Sequence, residues 1–213
     1  LTTILSNLNA TTADEENKQV GVFETDPSAT TVLLIDFKSS GAATWPVLLR
    51  QLAPLREKNW LTYYDGSTLH QGPLTIVGTG LTPFDLIQAN STDRYIFYDA
   101  PLLSLSSSDI IYNTTNSFYA SAPLSGAVGK LWFNTLSSSQ ISTIKGQVEA
   151  AEEKGLKSRY WDTPAWPIGR RDEVWREVMR AGAGILNVDD LVSATRWNWG
   201  WCVVAGIALC GNS

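Results

Sequence analysis

Residues Thr31–Phe37 read TVLLIDF, and the unbroken apolar stretch VLLI inside that run constrains the fold more than any other feature. A strand half in water alternates apolar and polar residues, whereas a near-continuous apolar run of strand length is buried on both faces, as in a parallel sheet. Five further runs have strand character: Pro73–Thr79, Arg94–Ala100, Ser117–Ala122, Lys157–Asp162 and Gly184–Asp189. Helical patterns fall between them. Trp45-Pro46 opens one with Pro at its first position, Leu48, Leu52 and Leu55 follow at helical spacing, and Pro54 is expected to kink or restart it. Thr82-Pro83 opens a short one through Ala89, and Ser137–Ser139 cap one carrying Ile141, Ile144, Val148 and Ala151 up to Gly155. Asp172–Ala181 carries Val174, Val178 and Ala181 on one stripe, while the connection from Ala100 to Asn116 has no helical period.

Strands alternating with helices predict an α/β fold with a parallel sheet. An open doubly wound sheet and a (β/α)8 barrel compete. The first carries a Gly-rich phosphate loop, of which Gly78-Thr79-Gly80 is only a fragment. The second needs eight strands, two more than the pattern shows. Nothing in the composition divides the 213 residues, so residues 1–213 read as one domain.

Composition narrows the partners. Sixteen basic residues against twenty-one acidic ones, with no basic cluster, argue against a nucleic-acid or anionic-membrane partner. One histidine, His70, and two cysteines, Cys202 and Cys210, exclude a Cys/His zinc site. The longest apolar run, Trp201–Cys210, is about half of what a membrane span requires. Sequons at Asn9, Asn90 and Asn113, with two cysteines eight residues apart, lean toward a secretory or membrane-associated route. Two buried thiols account for the cysteines equally well.

Alternation along Val32–Lys38 puts Leu33, Ile35 and Phe37 on one face and Val32, Leu34, Asp36 and Lys38 on the other. The apolar face suits helices. The other ends in a carboxylate and an ammonium at the C-terminal end of the strand, where parallel α/β folds bind ligands. Asp99, Asp162, Asp189 and Asp190 end other strand candidates, and carboxylates so placed can share one hard cation. Capping is the simpler role for Asp99 and Asp190. Trp161 is placed either to wall a pocket or to pack, and the Trp197–Trp201 cluster to pack a barrel end or to meet another surface. His70 reads as a surface loop residue.

The segments IDFK, ATWPVLLRQLAPLR, VGTGLTPFDLI, YIFYDAP, SRYWDTPAWP and LNVDDL, in this order, resemble the fungal family of altered inheritance of mitochondria protein 6. The likeness covers about residues 1–200 and is most specific at IDFK and YWDTPAWP. It implies a phospholipase-C-like phosphodiesterase of TIM-barrel fold, hydrolysing a lipid or glycerophosphodiester with one divalent cation, Mg²⁺ or Ca²⁺. It further implies Asp36 as a metal ligand, Lys38 as the catalytic lysine on the phosphodiester, and Trp161 and Arg159 as substrate contacts. Asp162, Asn187 and Asp189 lie in matching segments without an assigned role. The superfamily uses two histidines and an E-x-D pair from its first two strands, and residues 1–30 contain no histidine and no strand followed by E-x-D. The expectation is therefore a barrel with about six of eight strands, whose acid–base histidines lie upstream. A catalytically inactive truncated barrel with a binding or scaffold role is the alternative, and a two-acid glycosidase using Asp36 and Asp162 a more distant one.

Overall fold

The computed structural model describes residues 2–10, 20–105, 111–132, 135–195 and the backbone of 203–204 and 207–208. Cys202, Cys210 and the Trp197–Trp201 cluster lie outside the described residues. Two compact units divide the chain: residues 1–99 with 114–118, and residues 100–113 with 119–213.

The first unit holds helix α1 (Thr2–Ala10), strand β1 (Thr31–Phe37), helix α2 (Gly41–Glu57) and a short hairpin, β2 (Tyr63–Tyr64) with β3 (Leu69–His70). Strand β4 (Leu74–Gly80), helix α3 (Phe84–Ala89) and strand β5 (Ile96–Pro101), whose last two residues belong to the other unit, complete it. β1 pairs with β4 in parallel along all seven residues, Thr31 opposite Leu74 through Phe37 opposite Gly80. β5 pairs with β4 at Ile76–Gly78.

The core of this unit forms between the sheet and α2 and α3. Leu74 and Ile76 of β4, Ile96 of β5, Leu52 of α2 and Ile87 of α3 are all buried there, with Ile35 packed against them. Burying each such side chain contributes about 1.5–3 kcal/mol. The same contacts explain why α2 runs unbroken through Pro46 and Pro54, although a proline inside a helix costs about 3 kcal/mol. Leu48, Leu52 and Leu55 anchor the helix on both sides of the missing N–H groups. It starts at Gly41, ahead of the Trp45-Pro46 start, and Pro54 does not end it.

The second unit contains a 3₁₀ turn (Leu102–Ser104), most of strand β6 (Ser117–Pro123), helix α4 (Leu124–Val128), helix α5 (Ser138–Glu152), strand β7 (Lys157–Trp161), helix α6 (Ile168–Arg180) and helix α7 (Leu191–Ala194). Short strands β8 (Val203–Val204) and β9 (Ile207–Ala208) form a hairpin. β6 and β7 pair in parallel, Tyr119 opposite Lys157 through Pro123 opposite Trp161. α5 begins with the anticipated cap: Ser137 accepts from the Gln140 amide while the Gln140 side chain accepts from the Ser137 amide. α6 starts at Ile168, four residues ahead of the Asp172 start, and buries Val174 and Val178 as the stripe requires.

The α/β class holds, with five parallel strands hydrogen-bonded in the order β1-β4-β5-β6-β7. The sixth expected strand, Gly184–Asp189, is a correction. Only Ile185 bridges to Arg159 of β7, and the next contact of the segment is between side chains, Arg159 with Asn187.

Candidate functional site

In the first unit, Ile35, Ile76 and Ile96 face the helices. The period of two therefore turns Asp36 and Lys38 of the β1 end, with Thr79 and Asp99, onto the opposite face. Lys38 Nζ lies 2.6 Å from Asp36 Oδ2, and both side chains reach solvent. Gly80 opens the space beside the pair. Its φ is +66°, and a β-carbon there would collide with Asp36 Oδ1 and come within 2.7 Å of the Phe37 carbonyl. Leu81 N–H donates to that carbonyl at 2.8 Å and closes the turn after β4.

His70 lies at the other edge. It occupies the hairpin ahead of β4, whose seven residues span about 20 Å. Its Nε2 is 2.7 Å from Asp65 Oδ2, and its ring stacks on Tyr63 at 4.7 Å between centroids. The Asp65 carboxyl is held well below the usual carboxylate range by His70 first, then by the Thr68 and Ser67 amides and the Ser67 hydroxyl. His70 is exposed, as anticipated, but in a strand of a hairpin rather than a loop.

In the second unit, Tyr160 of β7 points toward α5, donating its hydroxyl to Gln147 Oε1 at 3.0 Å. Arg159 and Trp161 accordingly lie on the face away from that helix. Arg159 Nε donates to Asn187 Oδ1 at 3.0 Å, and its Nη1 is 3.4 Å from Ser121 Oγ, on the residue opposite it in β6. Trp161 ends β7 with 42% of its surface exposed. Asp162 follows at φ +56°.

The capping role holds for Asp190, whose carboxylate accepts from the Ser193 amide at the start of α7. It fails for Asp99, which lies inside β5. Ser121 carried no signal in the sequence and Gly80 only that of a fragmentary phosphate loop, since each acts on a neighbour brought to it by strand pairing. Among the described residues no three His, Cys, Asp or Glu side chains gather as a metal centre.

Parallel strands covered by helices on one face, with polar side chains at the C-terminal strand ends of the other, define an α/β protein of the barrel class. The AIM6-like phosphodiesterase domain matches residues 1–99. The altered inheritance of mitochondria protein 6 homolog of Arthroderma benhamiae is 38% identical over 178 residues, which is 82% of this chain and 55% of that protein. The protein 6 of Lachancea thermotolerans is 31% identical over 221 residues, 92% of this chain and 50% of the relative. That of Eremothecium gossypii is 32% identical over 209 residues, 92% and 54% respectively. No solved structure matches. This chain belongs to the altered inheritance of mitochondria protein 6 family, and it spans about half the length of the curated relatives it matches.

Proposed function

We propose that this chain carries part of the site of a phosphoric diester hydrolase acting on a lipid or glycerophosphodiester. The Asp36–Lys38 pair at the end of β1 supports this reading most. Cleaving an anionic diester calls for fixed positive charge at the phosphoryl oxygens, where negative charge grows in the transition state. Lys38 supplies one such charge on a flexible stem. In the second unit, taken by itself, Arg159 carries a planar fork, held by Asn187 and Ser121, of the kind that grips phosphate by two N–H groups, and the family resemblance gives it and Trp161 as substrate contacts.

Asp36 is the proposed ligand for one divalent cation, Mg²⁺ or Ca²⁺, although among the described residues no three His, Cys, Asp or Glu side chains gather around it. Such a cation, when bound, polarises a phosphoryl oxygen. Hydrolysis also needs a base for the nucleophile and an acid for the leaving alkoxide. His70 stands at the wrong edge for either role, so in this reading the acid–base pair belongs to a longer protein.

That same observation favours a second reading, a catalytically inactive partial barrel that binds or scaffolds. Glycerophosphodiester hydrolysis separates the two, measured with Mg²⁺ or Ca²⁺ on a form extended to the length of its relatives. Turnover that is lost in Lys38→Ala supports the hydrolase. No turnover with either metal, in a folded protein, overturns it in favour of binding.

A further inference from the structure

Three Asn-X-Ser/Thr triplets take no part in the candidate site: Asn9-Ala10-Thr11, Asn90-Ser91-Thr92 and Asn113-Thr114-Thr115. Each is an acceptor pattern for an N-linked glycan, a bulky polar group that a folded chain accommodates only on its surface. The side-chain amide has two hydrogens, and the sugar replaces one of them. Asn9 has neither to give. It is half-buried in α1, and its Nδ2 donates to the Leu5 carbonyl at 2.9 Å and to the Val20 carbonyl at 3.2 Å. Its Oδ1 accepts from the Val20 amide at 2.9 Å, so the side chain fastens Val20 to the helix. Asn113 is half-buried beside Tyr112 and close to Asn116, both buried.

Asn90 differs on both counts. With Ser91 and Thr92 it is exposed, in the turn that follows α3. Its Nδ2 donates once among the described residues, to the Asp93 carbonyl at 2.5 Å, and its Oδ1 accepts from the Asp93 amide at 3.0 Å. One amide hydrogen is left for substitution. The turn is also held by other groups: Arg56 pairs with Asp93, and Arg94 Nε donates to the Ile87 carbonyl at 2.9 Å near the end of α3. Arg94 exchanges backbone hydrogen bonds with Tyr64 of the β2–β3 hairpin, which puts the turn at the N-terminal edge of the sheet. Asp36 and Lys38 stand at the other edge of the same unit, so a glycan at Asn90 leaves them uncovered.

We propose that Asn90 is an N-glycosylation site, and that Asn9 and Asn113 are not. The bond formed joins Asn90 Nδ2 to the anomeric carbon of an oligosaccharide. The bond broken joins that carbon to the diphosphate of a lipid-linked donor, which departs as the lipid diphosphate while the amide loses one proton. An oligosaccharyl transferase of the secretory route performs the step.

Occupancy is read by mass and is independent of the hydrolase reading. The 213-residue chain, led by a cleavable secretion signal, is expressed in yeast. Peptide N-glycosidase in heavy-oxygen water then converts each glycosylated asparagine to labelled aspartate, on the secreted protein and on the microsomal fraction. Label is expected at Asn90 and at neither other triplet. The glycan should be lost completely in Asn90→Gln and in Thr92→Ala, kept in Thr92→Ser and kept in Asn9→Gln. Thr92→Ala destroys the acceptor triplet but retains the Asn90 side chain and its bonds to Asp93, and circular dichroism verifies its fold. Unlabelled Asn90 in both fractions, or label at Asn9 or Asn113 in the folded secreted protein, overturns the proposal.

Discussion

The carboxylate of Asp36 occupies the space that a β-carbon on Gly80 would need. The two residues lie on adjacent strands one step out of register, Asp36 opposite Thr79 and Gly80 opposite Phe37. Gly80→Ala therefore suffers twice, from its positive φ and from the collision, and should lose about 1–3 kcal/mol of stability. Urea unfolding measures it. Adding Asp36→Ala relieves the collision with the carboxylate but neither the close approach to the Phe37 carbonyl nor the backbone strain, so the double variant should recover only part of the loss. Full additivity of the two substitutions would show that they do not press on one another.

Lys38 and Asp36 form an ion pair in solvent, and such pairs contribute about 0–1 kcal/mol. A brace and a phosphate contact consequently predict different things. Lys38→Ala should leave the urea midpoint nearly unchanged, yet lower the affinity for glycerophosphate in a calorimetric titration. A large fall in stability with unchanged ligand affinity would assign the pair to structure.

Asp190 gives a pH dependence of known sign. The Ser193 hydroxyl first, the Ser193 amide next and then Arg171 hold its carboxyl down at about 2. A carboxyl with a depressed folded value stabilises fully above its unfolded value of about 3.9, and that stability disappears as pH falls through about 2. Thermal unfolding of wild type and Asp190→Asn should therefore differ at pH 5 and converge toward pH 2. A constant difference across that range would mean the charge of Asp190 is not what anchors α7.

Much of this was readable from local pattern, and the misses have one cause. The alternation in TVLLIDFK placed Ile35 toward the helices and Asp36 and Lys38 away from them, because side-chain direction in a strand follows residue parity alone. Pro54 does not restart the helix, because its local penalty is outweighed by Leu52 and Leu55, whose partners on β4 and β5 are distant in sequence. The Gly184–Asp189 run misled because its apolar pattern is local, whereas pairing with β7 is settled by tertiary contacts and amounts to one bridge, Ile185 with Arg159. The His70 hairpin has strands of two residues, too short to show any period. Ser121 meets Arg159 only through the β6–β7 register, which no single segment encodes.

The 213-residue chain alone should not hydrolyse a phosphodiester, whichever divalent metal is supplied. Its one histidine pairs with Asp65 on the β2–β3 hairpin, about one strand length from the Asp36–Lys38 end of the sheet. Proton transfer needs the donor and acceptor within hydrogen-bond reach, so His70 can serve neither the nucleophile nor the leaving group there. His70→Ala in a form extended to the length of the relatives should accordingly leave kcat unchanged. In that form Asp36→Asn should weaken Mg²⁺ binding, since it removes a full charge from a hard-cation ligand while keeping its shape. Trp161→Ala should raise KM more than it lowers kcat, as loss of uniform binding does. Steady-state kinetics and calorimetry on the three variants read these effects separately. Metal-dependent turnover by the 213-residue chain, abolished in Asp36→Ala, would show that its own residues complete the acid–base machinery.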